Sequence, residues 1–451
     1  MQQMHRYTAE TEDLARAIED YARDRIANPQ PLDRTLPAEA LDSLVGPTIS
    51  EQGIGWRRAL EIWADVLAPA TISTDHPASF AFVPGAPTKA SALFDLIVGA
   101  SSTIAAGWID GAGAIWAENQ TLRWVADLAG LPAEAGGAFV SGGSAGNLSA
   151  LVTARHAAAS ARDGRPDRWR FAACDTVHSS VAAAARVMDV DILDVSHDAR
   201  GRLTGEALQR ALDEDGGAGL FGVVASAGAT NAGTVDDLAG VASVCADRGL
   251  WFHVDAAYGG GGLLAPTARA LYEGIERADS FIVDPHKWLF APYDACALLY
   301  RDPSRALAAH RQVASYLDTA LSAPDWNPAD YAYHLSRRAR GLPMWFSLAT
   351  YGTDAYRDAV EAVLSITRET AAMIEADPNL ELIMEPDLSV VLFRRLGWGP
   401  DEYEAYWRRM LDEQIGFVQP TSWDGEKVMR LCFINPRTTM EHVRAVLREM
   451  D

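Results

Sequence analysis

Ser280-Phe281-Ile282-Val283-Asp284-Pro285-His286-Lys287-Trp288-Leu289 reads as a buried strand running straight into a polar turn. The turn sets one lysine between a histidine and a tryptophan. Desolvation disfavours the charged form of a lysine, so the expectation for Lys287 is a lowered pKa. A neutral amine is what Schiff-base chemistry with a carbonyl needs. About thirty residues earlier, Leu250-Trp251-Phe252-His253-Val254-Asp255-Ala256-Ala257-Tyr258 reads as a second strand, ending on a carboxylate followed by small residues. Lys287 and Asp255 read as two poles of one cofactor site.

Around these two strands the chain alternates. Phe171 to Cys174, Val190 to Val195, Phe221 to Ala225, Trp251 to Val254, Phe281 to Val283 and Ala297 to Tyr300 read as buried strands. Stretches such as Thr204 to Asp213 and Val235 to Arg248 read as helices between them. Apolar strands without polar alternation, separated by helices, predict a largely parallel sheet covered on both faces. Ligands of such sheets sit at the carboxyl ends of strands. Ser144, His178, Ser226, Asp255 and Lys287 all fall at or just after strand ends.

A glycine turn precedes this region. Ala138-Phe139-Val140-Ser141-Gly142-Gly143-Ser144-Ala145-Gly146-Asn147 is a short strand, a turn and the start of a helix that runs to Arg162. Free N–H groups and the helix dipole make such a turn an anion site. The spacing is neither the G-x-G-x-x-G of dinucleotide folds nor a Walker loop, and a plain tight turn stays open as a reading. His178, in Asp175-Thr176-Val177-His178-Ser179-Ser180, follows a strand and precedes an Ala-rich helix. It reads as a capping or core histidine, or as a ring stacked on a cofactor.

Residues 8 to about 75 show helical spacing, with Leu14, Ala17, Ile18 and Tyr21 on one face and Leu60, Trp63, Ala64 and Leu67 on another. This arm is short for a core of its own and is expected to pack on something else, such as a second subunit. His76-Pro77-Ala78-Ser79-Phe80-Ala81-Phe82-Val83-Pro84-Gly85 follows as a loop, either a surface connection or an aromatic wall of a pocket. From about 345 a long helix, Ala355 to Ala376, leads into strands at 380–383, 390–393 and 428–433 with helices at 401–414 and 440–450, a smaller α+β unit.

Composition bounds the function. The chain has 451 residues, 49% of them hydrophobic, enough for two or three domains with a substantial core. A net charge of -22 argues against nucleic acid and against anionic membranes as partners. No apolar run approaches the roughly 20 residues of a membrane span, and the N-terminus leads into an acidic amphipathic helix, unlike a signal peptide. Four scattered cysteines, Cys174, Cys245, Cys296 and Cys432, form no metal-ligand pair and are expected to be reduced and cytoplasmic.

One cofactor accounts for the constellation. Pyridoxal phosphate needs a lysine for its aldehyde, a carboxylate for its ring nitrogen, a phosphate cradle and a group over the ring face. Lys287, Asp255, the Gly143–Ser144 turn and His178 match those needs, with no metal.

The motifs HPASFAFVP, FVSGGSAGN, DTVHSSV, HVDAAYGG, DPHKWL and LSRRARGLPMWF, in this order, resemble those of group II pyridoxal-phosphate-dependent amino acid decarboxylases. That family includes aromatic-L-amino-acid, tyrosine and glutamate decarboxylases, and the resemblance runs from about His76 to the C-terminus. It implies a type I pyridoxal-phosphate-dependent transferase fold, α/β, with a mostly parallel seven-stranded sheet. The divisions implied are an N-terminal helical arm (1–80), a large cofactor-binding domain (81–345) and a small C-terminal α+β domain (346–451). Lys287 would carry the cofactor, Asp255 pair with the ring nitrogen and His178 stack on the ring. Gly143, Ser144, Asp284 and His286 would lie around the phosphate, and Ser226 near the ring oxygen. Phe82, Pro84 and Ser336 would contact substrate. The assembly implied is a homodimer wrapped by the arm, with active sites at the interface.

The implied reaction is decarboxylation of an L-amino acid, aromatic by preference, to the amine and carbon dioxide. Two departures keep alternatives open. The segment Tyr316 to His334 is short, and the position matching the family's catalytic tyrosine falls near Pro328, with Tyr316, Tyr331 and Tyr333 nearby. Relatives lacking that tyrosine divert to an aldehyde. Asp75 beside His76 leaves a basic substrate such as 2,4-diaminobutyrate in play, or glutamate. A catalytically silent scaffold and a nucleotide-binding dehydrogenase are the readings of other classes; the intact Lys287, Asp255 and His178 argue against the first and the glycine spacing against the second.

Overall fold

Strands that are apolar on both faces have to be covered on both faces, and the computed structural model shows how. It describes residues 3–312 and 326–450. Seven strands are β1 (Gly136–Val140), β2 (Arg170–Cys174), β3 (Asp191–Val195), β4 (Leu220–Ser226), β5 (Trp251–Asp255), β6 (Ser280–Val283) and β7 (Cys296–Tyr300). They form one sheet in the order β1-β7-β6-β5-β4-β2-β3. Neighbours pair in parallel except at β7, which is antiparallel to both β1 and β6. Side chains alternate between two cores: Phe281 and Val283 go to one, Ile282 to the other. That is why the strand shows no polar alternation in the sequence.

Helices α6 (Gly143–Ser160) and α7 (Ser179–Met188) share one of these cores, while α8 (Gly205–Asp215) and α9 (Leu238–Arg248) share the other. α10 (Pro303–His310) packs on α6. β1 reaches β7 through a glycine: a Cβ on Gly137 would sit 1.8 Å from the Leu298 carbonyl oxygen.

The amino-terminal stretch is less continuous than its periodicity predicts. It forms α1 (Ala9–Ala27), α2 (Ala38–Val45) and α3 (Trp56–Ile62), with loops between. Thr8 caps α1, yet no residue of α1 is buried. α4 (Lys89–Ala100) and α5 (Trp108–Leu128) follow. α11 (Leu342–Ala376) starts well before the expected Ala355 and is broken at Gly352, whose φ of 77° is left-handed. The closing sheet is antiparallel and includes β8 (Leu380–Leu382), β9 (Val390–Arg395), β10 (Gln419–Trp423) and β11 (Glu426–Cys432), with α12 (Pro400–Asp412) and α13 (Met440–Arg448). The sequence reading missed β10, an edge strand holding Pro420, where proline is tolerated.

One buried ion pair ties α5 to the chain ahead of α11. Arg337 Nη2 donates to Glu118 Oε1 and Oε2 at 2.6 and 2.7 Å, with both side chains 2% exposed. Arg337 Nη1 also donates to the Ala105 carbonyl, and Glu118 accepts from the Gly341 N–H. Arg337→Ala would leave Glu118 buried and unpaired. The expected cost is about 3–5 kcal/mol, measured by urea unfolding; a loss below about 1 kcal/mol would contradict this account.

Candidate active site

The carboxyl ends of β4, β5 and β6 and the turn after β1 surround a cavity of about 280 Å³. Gly143, Ser144, His178, Ser226, Asp255, Asp284, His286 and Lys287 all line it. The sheet register explains the convergence: Ser226 lies opposite Asp255, and Asp255 opposite Ile282, so the strand ends are level. Gly142 caps α6, and the first-turn N–H groups of Gly143 and Ser144 start a helix where no intrahelical carbonyl precedes them. A Cβ on Gly143 would come 3.1 Å from Asp284 Oδ2 and 3.2 Å from the Ala257 Cβ, so a side chain there would crowd this wall.

Lys287 departs from expectation. Burial pulls its pKa down, but the Asp284 carboxylate, helped by Asp255, outweighs burial and holds it above the ordinary lysine value. Its Nζ is 2.9 Å from Asp284 Oδ2. The expected lowered pKa took account of desolvation alone and not of a carboxylate three residues back. Asp284 lies against the glycine turn, and its carboxylate faces the lysine. Its Oδ1 is buried with no hydrogen-bond partner among the described residues. His286 Nδ1 is 2.7 Å from the Ala295 carbonyl, its ring stands 4.7 Å from that of Tyr293, and burial lowers its pKa.

Asp255 is held from two sides. Its Oδ1 accepts from the Ala257 N–H at 3.0 Å and its Oδ2 from Asn147 Nδ2 at 2.8 Å. Asn147 is a site residue that the sequence reading quoted within a motif but assigned no role. His178 is the capping residue of one of its readings: its Nδ1 accepts from the Ser180 N–H as the N-cap of α7, and the residue also lines the cavity.

Beneath Asp255, His253 is fully buried, and burial drives its pKa down to about 4, with Asp255 partly opposing. The unfolded chain binds this proton near 6.5. The stability that a neutral His253 contributes is therefore present above about pH 6.5 and lost as pH falls to about 4, on the order of 3 kcal/mol. Asp236, buried and pushed up to about 7, acts with the opposite sign over an overlapping range. The comparison of wild type with His253→Gln isolates the first effect: chemical denaturation at stepped pH should give the variant the smaller acid loss. Identical slopes would contradict it.

A second cavity of about 510 Å³ adjoins the first and shares His178, Ala229 and Thr230 with it. Phe82 lines it with a left-handed φ of 56°, a conformation costly for an aromatic residue. Arg430 stabilises that turn: its Nη1 donates to the Phe82 carbonyl at 2.6 Å and its Nη2 to the Thr230 carbonyl at 2.7 Å. Pro84 is buried and Ser336 exposed, and neither lines these cavities of the single chain. Asp75 is already spent, since Arg25 grips both of its oxygens at 2.6 and 3.2 Å. Tyr316 lies outside the described residues. Tyr331 stacks on Trp326 at 4.1 Å, Tyr333 is exposed, and neither lines either cavity. Tyr293 does line the smaller one, a placement that no local pattern signals.

A half-buried ammonium, a doubly held carboxylate and a glycine-walled helix start meet in one cavity with room for a ring. That donor set fits a phosphorylated pyridine aldehyde. Comparison with known proteins agrees. The pyridoxal-dependent decarboxylase conserved domain matches residues 39–396. An aromatic-L-amino-acid decarboxylase of Bacillus atrophaeus is 31% identical over 435 residues, covering 93% of this chain and 90% of that protein. A phenylacetaldehyde synthase of Arabidopsis thaliana is 26% identical over 96% of this chain and 91% of its own. The crystal structure of Oryza sativa TDC with PLP and tryptamine superposes with a TM-score of 0.88 at 25% identity, covering 98% of this chain and 97% of that one.

Proposed function

Because this chain belongs to the pyridoxal-dependent decarboxylase family, we propose that it decarboxylates an aromatic L-amino acid to the corresponding amine and carbon dioxide. It is a pyridoxal-phosphate-dependent carboxy-lyase on the type I fold. When bound, pyridoxal phosphate supplies an aldehyde that takes up an amine and a cationic ring that accepts the electrons left by carbon dioxide. Lys287 would hold the aldehyde carbon, Asp255 the ring nitrogen, Gly143, Ser144 and His286 the phosphate, and Ser226 the ring oxygen. Asp284 Oδ2, 2.9 Å from Nζ, pairs with the Lys287 ammonium in the cofactor-free chain. His178 would cover the ring and orient the substrate carboxylate, positioning that lowers the barrier by fixing orientation in advance.

The single observation that carries the reading is the meeting of Lys287, Asp255 and His178 on one cavity, joined to a second with an aromatic rim at Phe82. Phe82 and the engagement of Asp75 by Arg25 favour an aromatic over a basic side chain. One assay tests it: a panel of aromatic, acidic and basic L-amino acids with amine, carbon dioxide, aldehyde and peroxide all measured. Amine from an aromatic substrate is expected. Aldehyde with peroxide would replace decarboxylation alone by the synthase reaction named for the Arabidopsis relative, and turnover of 2,4-diaminobutyrate or glutamate alone would overturn the substrate class.

A homodimer and a cytoplasmic location belong to the same proposal. Leu93, Leu96 and Ile97 of α4 and Ile109 and Trp116 of α5 are each about half or more exposed, and a second copy would cover them. The four cysteines are free and buried, as in a reducing compartment. Among the described residues no helix is long and apolar enough to cross a membrane.

A further inference from the structure

Trp251, His253 and Asp255 alternate along β5 and so share one face of the sheet. Trp251 Nε1–H donates to Ser280 Oγ at 2.9 Å, and Ser280 Oγ is 2.8 Å from His253 Nδ1. His253 Nε2 is 2.8 Å from Asn147 Oδ1. Asn147 Nδ2 then divides the line, donating to Asp255 Oδ2 at 2.8 Å and to Ser180 Oγ at 2.9 Å. Ser180 Oγ in turn is 2.8 Å from His178 Nδ1.

The protons on this line have one consistent arrangement. An indole N–H only donates and a carboxylate only accepts. Starting from Asp255, Asn147 has to turn its NH₂ towards the carboxylate, so its Oδ1 faces His253. His253 Nε2 therefore carries a proton. The ring is neutral at ordinary pH, because burial lowers its affinity for a second proton. Its Nδ1 then accepts the Ser280 O–H, which leaves Ser280 a lone pair for the Trp251 N–H. On the other branch Ser180 accepts from Asn147 and gives its own O–H to His178 Nδ1. That nitrogen also accepts the Ser180 backbone N–H at 3.2 Å. With Nδ1 accepting, the His178 proton is left on Nε2, on a side chain that lines both cavities.

We propose that Ser280, His253 and Asn147 are positioning residues forming a proton-ordered relay that starts at Trp251 and forks at Asn147. One branch locks the Asp255 carboxylate as an acceptor, and the other presents His178 as an Nε2–H donor. This rests on the reading of Asp255 and His178 as cofactor-site residues, but the proton positions do not depend on it.

The test is a long-range proton–nitrogen correlation on the full-length ¹⁵N-histidine-labelled protein, with and without pyridoxal phosphate at neutral pH. Resonances are assigned by loss in His253→Gln and His178→Asn. Both rings should be Nε2–H tautomers; an Nδ1–H tautomer at either overturns the relay. A second arm compares cofactor dissociation constants. His253→Gln can still donate to Asn147 Oδ1 and should stay within about threefold of wild type, whereas His253→Leu leaves that acceptor unmet and should weaken binding about tenfold or more. Equal values would overturn the positioning role. Should His253→Leu not fold, Ser180→Ala decides: it removes the hydroxyl that meets His178 Nδ1 and leaves the Asn147–Asp255 bond, so kcat at saturating cofactor should fall, and an unchanged kcat would overturn the fork. Expected tautomers in a protein that binds no pyridoxal phosphate would leave the relay standing and remove the functional reading.

Discussion

Lys287→Ala should lower turnover at least about a thousandfold, since removing the group that makes and breaks a covalent link removes a whole catalytic unit. The chain makes the experiment clean. It contains three lysines, Lys89, Lys287 and Lys427. Lys287 lines the cavity, while Lys89 and Lys427 are exposed. Borohydride treatment of the wild-type protein with pyridoxal phosphate should therefore fix a pyridoxyl label on the peptide that carries Lys287, and the alanine variant should take none there. The label on another peptide, or a variant that keeps a tenth of wild-type activity, would remove Lys287 from the mechanism. The pairing with Asp284 adds a second expectation. The folded-state pKa of Lys287 is raised, so the pair stabilises the cofactor-free protein below the unfolded lysine value near 10.4, and that stability is lost as pH rises through the folded value.

Asp255→Asn should lower kcat by about a hundred- to a thousandfold, the range for deleting one preorganised electrostatic partner. The substitution keeps the shape and removes the charge. It also sets a carboxamide against Asn147 Nδ2 and the Ala257 N–H, two donors that at present converge on the two carboxylate oxygens. Weakened cofactor binding should accompany the loss of rate. Steady-state kinetics together with cofactor titration would check both, and a variant with kcat within tenfold of wild type would show that Asp255 has no electronic role.

The two poles of the site were legible because a strand end is a local property. An apolar run that stops at Asp255, or at Asp284 before Lys287, announces itself in a few consecutive residues. In a parallel sheet those ends lie on one edge. The glycine turn before α6 and His178 before α7 were legible for the same reason. The substrate contacts implied for Ser336 and Pro84 rest on resemblance, which carries a residue's identity without its surroundings, and neither residue lines a cavity of the single chain. Asp75 looked free beside His76 because its partner, Arg25, is 50 residues earlier, on a helix whose docking no local pattern reveals.

By itself the sequence determined the layered α/β plan, the strand ends that carry chemistry and the class of cofactor they suit, since each depends on neighbours along the chain. Only the tertiary structure decided how those groups are charged and held. Asn147 meets Asp255 across 108 residues and His253 across 106, contacts set by the strand order β6-β5-β4 and the seat of α6 on that sheet. The sign of the Lys287 shift was settled in the same way, because burial and a facing carboxylate pull it in opposite directions and only their geometry says which prevails.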